Sequence, residues 1–174
     1  MFHNPVIPPN TGNAIRLAAV TGAALSLVEP LGFELTDARV RRAGLDYHDL
    51  SRVYVHPDFT SAATFTSTHG TGRIFAFTTH TVTRFDEIEY RPGDTLLFGT
   101  EPTGLPDAVL NDSRITQRVH IPMQPGVRSL NLSNAASIAI YEAWRQNDYT
   151  QTPAGWLPHH STSLAADVFK PPTP

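Results

Sequence analysis

Short apolar runs alternate with amphipathic segments along most of the chain. Each run is apolar on both faces and rich in β-branched or aromatic residues, which is typical of strands buried in a parallel sheet. These runs occupy residues 24–28, 53–55, 73–78, 95–99 and 118–122. Because helical spacing appears between most of them, the pattern predicts an α/β fold with a mostly parallel sheet and flanking helices.

Four segments show helical spacing of their apolar positions. Residues 12–21 form the first, with Asn10 or Thr11 expected as its N-cap and Gly22 as its stop. Residues 36–43 and 58–67 give weaker signals. The strongest signal covers residues 132–146, where a wide apolar stripe is formed by Leu132, Ala135, Ala136, Ala139, Ile140 and Ala143.

Length and composition favour one compact domain with a tail. At 174 residues and 40% hydrophobic content, the chain suits a single core. We expect that domain to span residues 1–148, and the proline-rich residues 149–174 to be poorly ordered. A net charge of −3 gives no overall attraction to polyanions, so any surface for nucleic acid must be local.

Several classes of protein are excluded or disfavoured. The absence of cysteine excludes disulfides and thiolate zinc sites. The adjacent His159 and His160 have no third ligand at useful spacing, so we expect no metal. No apolar run approaches the ~18 residues that span a bilayer, and the first residues lack the pattern of a signal peptide. We therefore expect a cytoplasmic protein with no membrane contact.

Glycine, proline and small polar residues concentrate in three loops at the ends of predicted strands, where open α/β sheets bind ligands. In residues 4–16, Asn10 begins a helix that would favour an anion, and Arg16 follows about one turn later. An N-cap with a solvated arginine explains these residues equally well. In residues 98–106, Gly99 would allow close backbone approach, and Glu101 is a candidate base, anchor or simple turn residue.

The third loop, residues 121–135, brings several polar side chains to the start of the strongest helix. Ser129 and Asn131 lie at its entrance, and Ser133 and Asn134 lie in its first turn. A helix N-terminus needs one such residue as a cap. The surplus predicts polar recognition at this point.

Together these segments resemble a known family. "IPPNTGNAIR", "FGTEPTGLP" and "IPMQPGVRSLNLSNAASIAIYEAWRQ" resemble, in this order, the three motifs of the SPOUT superfamily of α/β-knot RNA methyltransferases. With "FELTDARVRRAGLDYH", the chain looks most like the tRNA 2′-O-methyltransferases that modify the wobble nucleotide, cytidine or uridine 34. The resemblance covers residues 4–148. One departure is that only Met1–Asn4 precede Pro5, so we expect an unusually short first strand or a start further upstream.

The resemblance implies a C-terminal deep trefoil knot, a homodimer, and S-adenosyl-L-methionine as methyl donor, with S-adenosyl-L-homocysteine as product. It implies binding of the tRNA anticodon stem-loop. Implied cofactor contacts are Phe77, Gly99, Ile121, Ser129 and Leu130. Implied catalytic positions are Asn10, Arg16, Glu101 and Asn131. Implied RNA contacts are Arg16, Arg41, Arg42, Arg128 and Tyr141.

Within this interpretation, Arg16 would grip an RNA phosphate and stabilise a developing alkoxide, because a guanidinium is a poor base. For Glu101 we favour orientation of a loop over proton abstraction. Two alternatives remain open from the sequence. The substrate could be ribosomal RNA or another tRNA position, and the same scaffold could serve a non-catalytic RNA-binding protein.

Overall fold

The computed structural model describes residues 1–35 and 52–150, and these contain six strands and four α-helices. The strands are β1 (Phe2–His3), β2 (Leu25–Val28), β3 (Val53–His56), β4 (Ile74–Phe77), β5 (Thr95–Leu97) and β6 (Ile115–Val119). The helices are α1 (Pro8–Thr21), α2 (Phe59–His69), α3 (Asp107–Leu110) and α4 (Leu132–Gln146), with a 3₁₀ turn at Phe85–Glu87.

All strand pairs within these residues are parallel, as the sequence predicts. Strands β1-β2-β3 and β5-β4-β6 form two groups. A parallel bridge between Phe2 and Phe98 joins them, where the His3 N–H donates to the Phe98 carbonyl oxygen at 2.9 Å. The strand order is therefore β3-β2-β1-β5-β4-β6, and every carboxyl end lies at the same edge of the sheet.

Helices cover both faces of this sheet. Phe2, Leu25 and Leu27 pack on one face with α1 and α4, where Ala14 and Ala18 share a core with Ala136 and Ala139. Met1, Val28 and Leu97 point to the other face and pack with α2 and α3. The expected α/β class with flanking helices is confirmed. No helix in the described ranges is long and apolar enough to cross a membrane.

One detail of the strand prediction is wrong. The last strand occupies Ile115–Val119 and not 118–122, because its middle residues are polar and exposed at the edge of the sheet, whereas Pro122 has no N–H to donate to a strand. The first strand is unusually short, as one of the two expectations for it stated, with only the residues Phe2–His3. It is still buried, because it pairs with β2 on one side and meets β5 on the other.

For the first helix, the predicted N-cap is wrong and the predicted end is confirmed. Asn10 and Thr11 are not caps, because α1 begins at Pro8 with Ile7 at the N-cap, and proline is well suited to the first helical turn. Gly22 ends α1 in the left-handed conformation, at φ 74°, as expected.

The later helices match more closely. Asp58 caps α2 by accepting the Ser61 N–H at 2.7 Å, and α4 covers Leu132–Gln146 as predicted. The predicted helix at 36–43 and the tail from residue 151 lie outside the described residues.

Candidate functional site

The Glu101 carboxylate, in the loop after β5, organises the start of α1. One oxygen, Oε2, accepts the Val6 N–H at 2.9 Å. The other, Oε1, accepts the Ile7 N–H at 3.2 Å and the side-chain amide of Asn10 at 3.0 Å. Asn10 is only 3% exposed. The carboxylate therefore supplies acceptors to N–H groups that no helix hydrogen bond uses.

Asn131 extends this arrangement to α4. Its side-chain oxygen caps the helix by accepting the N–H groups of Ser133 and Asn134 and the Ser133 hydroxyl. Its Nδ2 donates to Asn10 Oδ1 at 2.8 Å. Since one end of the Asn131 amide faces three donors, its NH₂ must face Asn10, and the Asn10 NH₂ must then face Glu101. We call Glu101, Asn10 and Asn131 the carboxylate–amide chain.

The carboxylate–amide chain joins three segments that are distant in sequence, residues 4–16, 98–106 and 121–135. Two further polar residues adjoin it, because Asn13 Nδ2 donates to the Ser133 hydroxyl at 3.4 Å. Sequence reasoning noted Ser133 as surplus polarity and placed Asn13 among the polar residues at the start of the first helix, but it did not include Asn13 among the site residues. The sequence signal that could have found this contact is a polar side chain on each of α1 and α4, two helices that otherwise pack against each other through alanine. Part of the surplus at α4 therefore serves internal hydrogen bonding, while Ser129 and Asn134 stay exposed.

The predicted RNA contacts in the described ranges are exposed. Arg16 lies on α1 one turn beyond Asn13, Arg128 lies in the loop before α4, and Tyr141 is 44% exposed on α4. Tyr141 also meets the Trp144 ring edge-on, with centroids 5.7 Å apart. Arg41 and Arg42 lie outside the described residues.

The predicted cofactor contacts come from three neighbouring strands at the carboxyl edge. Phe77 ends β4 and stacks on Phe98, with ring centroids 4.4 Å apart. Ile121 follows β6, and Ser129 and Leu130 directly precede the α4 cap. At Gly99, an added Cβ would lie 2.1 Å from the Gly104 carbonyl carbon, so only glycine fits there.

Residues 121–130 combine free backbone groups with exposed apolar side chains. Apart from a turn at 125–126, their backbone forms no hydrogen bond with the described parts of the chain. Met123, Val127 and Leu130 are 36%, 59% and 39% exposed. Apolar surface beside unpaired N–H and C=O groups fits a nucleoside, whose base needs both stacking and hydrogen bonds. The loop therefore suits the adenosine part of the implied cofactor.

A large cavity lies elsewhere. It has a volume of about 600 Å³ and opens at the amino ends of the strands, between the ends of α1, α2 and α4. None of the predicted site residues that the structure describes lines it. The candidate site is therefore the set of loops at the carboxyl edge.

Comparison with known proteins agrees with this geometry. The model of the SpoU rRNA methylase family matches residues 1–141. A protein of Burkholderia ambifaria named tRNA (cytidine(34)-2′-O)-methyltransferase is 53% identical over 142 residues, covering 82% of this chain and 90% of its own. A protein of the same name from Escherichia coli is 46% identical over 149 residues, covering 86% and 93%.

Two solved structures have the same fold. One, described as concerning 2-OH methylation of C/U34 on tRNA, has a TM-score of 0.71 and 41% identity, covering 86% of this chain and 95% of its own. The other is the SpoU methyltransferase AviRb from Streptomyces viridochromogenes with its cofactor AdoMet, with a TM-score of 0.72 and 26% identity, covering 84% and 56%. The fold and the loops at its carboxyl edge define an RNA methyltransferase of the α/β class. The chain belongs to the SpoU rRNA methylase family.

Proposed function

We propose that the protein uses S-adenosyl-L-methionine to methylate the 2′-hydroxyl of the wobble nucleotide, cytidine or uridine 34, in the anticodon stem-loop of tRNA. The observation that carries the proposal is the carboxylate–amide chain, which ties together the three motifs on which the family resemblance rests. Arg16 lies on α1, and the carboxylate–amide chain holds the start of this helix in place. The named activity of the Burkholderia and Escherichia relatives supports the choice of substrate.

The cofactor would lie against Phe77, Gly99, Ile121, Ser129 and Leu130. When bound, its sulfonium supplies an activated methyl group. The protein would hold the nucleoside against the backbone groups of 121–130 that have no partner in the described residues. It would exclude water with Phe77 and the exposed apolar side chains of that loop. Gly99 removes the side chain that would separate the β5 loop from residues 104 and 105.

Arg16 would contact the RNA. A guanidinium retains its proton at neutral pH and forms paired hydrogen bonds with phosphate. We assign Arg16 to the phosphate next to the target ribose and to the negative charge that develops on the 2′-oxygen. The phosphate or a water would accept the proton. Alignment of the hydroxyl with the methyl group can supply up to about 7 to 11 kcal/mol of the barrier reduction.

Glu101 would act as an organiser and not as a base. Its two oxygens already accept three N–H groups at 2.9 to 3.2 Å. Proton abstraction by Glu101 would weaken the contacts that hold the start of α1. Asn10 and Asn131 would likewise act by fixing the positions of α1 and α4, which carry Arg16 and Tyr141.

Local charge supports RNA binding at this edge. Four arginines are neutralised by carboxylates, in the pairs Arg73–Asp94, Arg84–Asp86, Arg114–Asp112 and Arg145–Glu142. Arg128 has no carboxylate partner in the described residues. We assign Arg16, Arg128 and Tyr141 to tRNA, together with Arg41 and Arg42, as local contacts on an acidic protein.

The assembly and topology follow the family in this proposal. We propose a homodimer, with the exposed apolar residues Val20 and Ile138 on α1 and α4 as part of its interface, because they are 62% and 41% exposed. We propose that residues 121–146 complete a deep trefoil knot within a domain of residues 1–148, that residues 149–174 form a separate tail, and that the protein acts in the cytoplasm on tRNA without a metal.

Mass spectrometry tests the proposed function. Unmodified tRNA from cells that lack this gene is incubated with the protein and S-adenosyl-L-methionine, digested with nuclease, and analysed for ribose methylation. A methyl group on nucleotide 34 is the expected result. Transfer to another RNA, such as ribosomal RNA, would replace the substrate and retain the chemistry. Cofactor binding with no transfer to any RNA would favour the non-catalytic alternative.

A further inference from the structure

The cavity at the amino ends of the strands is independent of the proposed catalytic site. Its walls are largely apolar and include Leu17 and Ala18 of α1, Phe65 of α2, and Ile140 and Ala143 of α4. Its volume of about 600 Å³ is in the range of sites that hold a sizeable group. An apolar surface of this kind favours binding of an apolar group.

The polar groups around the cavity are mostly satisfied within the protein. Thr21 donates to the Leu17 carbonyl oxygen, Thr66 to that of Ala63, and Asn147 to those of Tyr90 and Ala143. The Asp94 carboxylate accepts from the side chains of Thr71 and Arg73 and from the Arg91 N–H. A polar metabolite would form few hydrogen bonds with these walls and would give up its hydrogen bonds with water. An apolar side chain has no such hydrogen bonds to give up.

The chain itself leads to this cavity. Thr150, which lies at the start of the tail and is the last described residue, lines it. The exit is fixed because the Trp144 Nε1–H donates to the Thr150 carbonyl oxygen at 2.9 Å, and the Trp144 ring meets that of Tyr149 edge-on at 5.3 Å. The tail adds 24 residues beyond this point. Any apolar group early in the tail therefore starts at the mouth of the cavity.

Trp156 and Leu157 are that group. They lie six and seven residues beyond Thr150, a stretch that spans up to about 20 Å when extended. Trp156 is one of the two tryptophans in the chain, and burying a side chain of this type removes about 150 to 250 Å² from water. We propose that the Trp156–Leu157 segment of the tail docks in the cavity of its own chain, covering the ends of α1 and α4.

Cross-linking in the full-length protein tests this docking. The natural chain has no cysteine, so the double variant Ala143→Cys with Leu157→Cys reports on one pair of positions when it is oxidised with diamide. The matched control is Val82→Cys with Leu157→Cys, because Val82 is 94% exposed in the loop that follows β4 at the opposite edge of the sheet. Mass spectrometry and non-reducing gels separate disulfides within a chain from those between chains.

Docking predicts that the Ala143 pair forms an intrachain disulfide at least tenfold faster than the Val82 pair. Adding Trp156→Asp should slow the Ala143 pair several-fold, because nearness to Thr150 alone does not depend on the side chain at position 156. A second pair, Leu17→Cys with Leu157→Cys, repeats the measurement from α1 if the first variant folds poorly. Equal rates for the cavity and control pairs would overturn the proposal. Disulfides that form mainly between chains would also overturn it, and would assign the cavity to a second copy. Neither result depends on methyltransferase activity.

Discussion

At the scale of single residues, the site depends on which end of each amide faces which neighbour. Glu101 can only accept, so it fixes the Asn10 amide, and three donors fix the Asn131 amide. Each fixed side chain then holds the next member of the carboxylate–amide chain in its orientation. The positions of Arg16 and of the α4 N-terminus follow from this ordered set of hydrogen bonds.

Arg16→Ala is expected to lower the turnover number for tRNA methylation by about 100-fold or more, because a donor aimed at developing negative charge is lost. Affinity for S-adenosyl-L-methionine should stay within a factor of about two, because Arg16 is assigned to RNA. Single-turnover kinetics and calorimetry measure the two quantities. Arg145→Ala is the control, because Arg145 is exposed and paired with Glu142. A large loss of cofactor affinity would contradict the assignment.

Glu101→Gln separates an organiser from a base. Glutamine would present an NH₂ group to donors that now meet a carboxylate, so we expect unfolding free energy to fall by about 1 to 2 kcal/mol together with activity. Chemical denaturation and methyl transfer, measured on the same sample, test this. If Glu101 were the general base, activity would be abolished and stability would remain near that of the parent protein.

At the scale of elements, one side chain both caps α4 and joins it to α1. Asn131→Asp would keep the cap, since a carboxylate at a helix N-terminus accepts the same N–H groups and is favoured by the helix dipole. It would place a carboxylate oxygen against Asn10 Oδ1, where Asn131 now donates at 2.8 Å. We expect methyl transfer to fall about tenfold or more, while the far-ultraviolet helix signal is retained.

The control for this variant is Asn134→Asp. Asn134 lies in the same first turn of α4 but is exposed, and its side chain makes no hydrogen bond with the described residues. Its activity should match that of the parent protein. Equal losses in the two variants would show that added negative charge near the RNA, and not the contact with Asn10, causes the effect.

The loop after β5 has no room for a side chain at its first position. Gly99→Ala would place a Cβ 2.1 Å from the Gly104 carbonyl carbon and 2.3 Å from the Leu105 nitrogen. Because both are backbone atoms, the loop must shift, and we expect a cost of about 1 to 3 kcal/mol in stability with weaker cofactor binding. Thermal unfolding with and without S-adenosyl-L-methionine measures both effects.

Gly12→Ala is the matched control for Gly99. Gly12 lies inside α1, and an added Cβ there would meet nothing within 4 Å. Alanine should stabilise the helix by about 0.5 to 1 kcal/mol. A Gly99→Ala protein as stable as the parent would show that the β5 loop moves freely and does not define the site.

At the scale of the whole molecule, buried ionisable groups link stability to pH. His56 is 7% exposed, and its Nε2 lies 3.1 Å from the Ser26 hydroxyl. Burial, aided by the positive Met1 amino group, lowers the pKa of His56 to about 4, and burial also lowers the pKa of His3. As the pH falls below about 6.5, these histidines therefore bind protons in the unfolded chain but stay neutral in the folded protein. The stability that depends on these two histidines should be full above pH 6.5 and fall as the pH drops toward 4. Burial also lowers the pKa of the Met1 amino group to about 5, so this group adds a further loss of stability as the pH falls below about 8.

His56→Gln should reduce this acid sensitivity. Glutamine does not titrate, so the slope of unfolding free energy against pH between 4.5 and 6.5 should fall by up to about 1.4 kcal/mol per unit, the value for one proton. Urea unfolding across this range measures it, with His80→Gln as a control because His80 is exposed. An unchanged slope would assign the acid sensitivity to His3 or the Met1 amino group.

Sequence patterns anticipated the elements whose signals are local. Helix α4 was predicted residue for residue because its apolar stripe and its cap are both written into residues 131–146. The same reasoning misplaced β6, which lies at an edge where polar residues pair without being buried. It also misassigned Asn10 as a cap. The partner of Asn10, Glu101, is 91 residues away, and no local rule connects the two.

By itself the sequence determined the α/β class, the parallel strands, the main helices and the three polar loops, because periodicity, turn residues and motif order are properties of adjacent positions. Only the tertiary structure decided that β1 and β5 adjoin, that the carboxylate–amide chain closes, and that the tail begins at an apolar cavity. Each of these is a contact between distant residues, set by how strands order in the sheet and by which donor each acceptor faces.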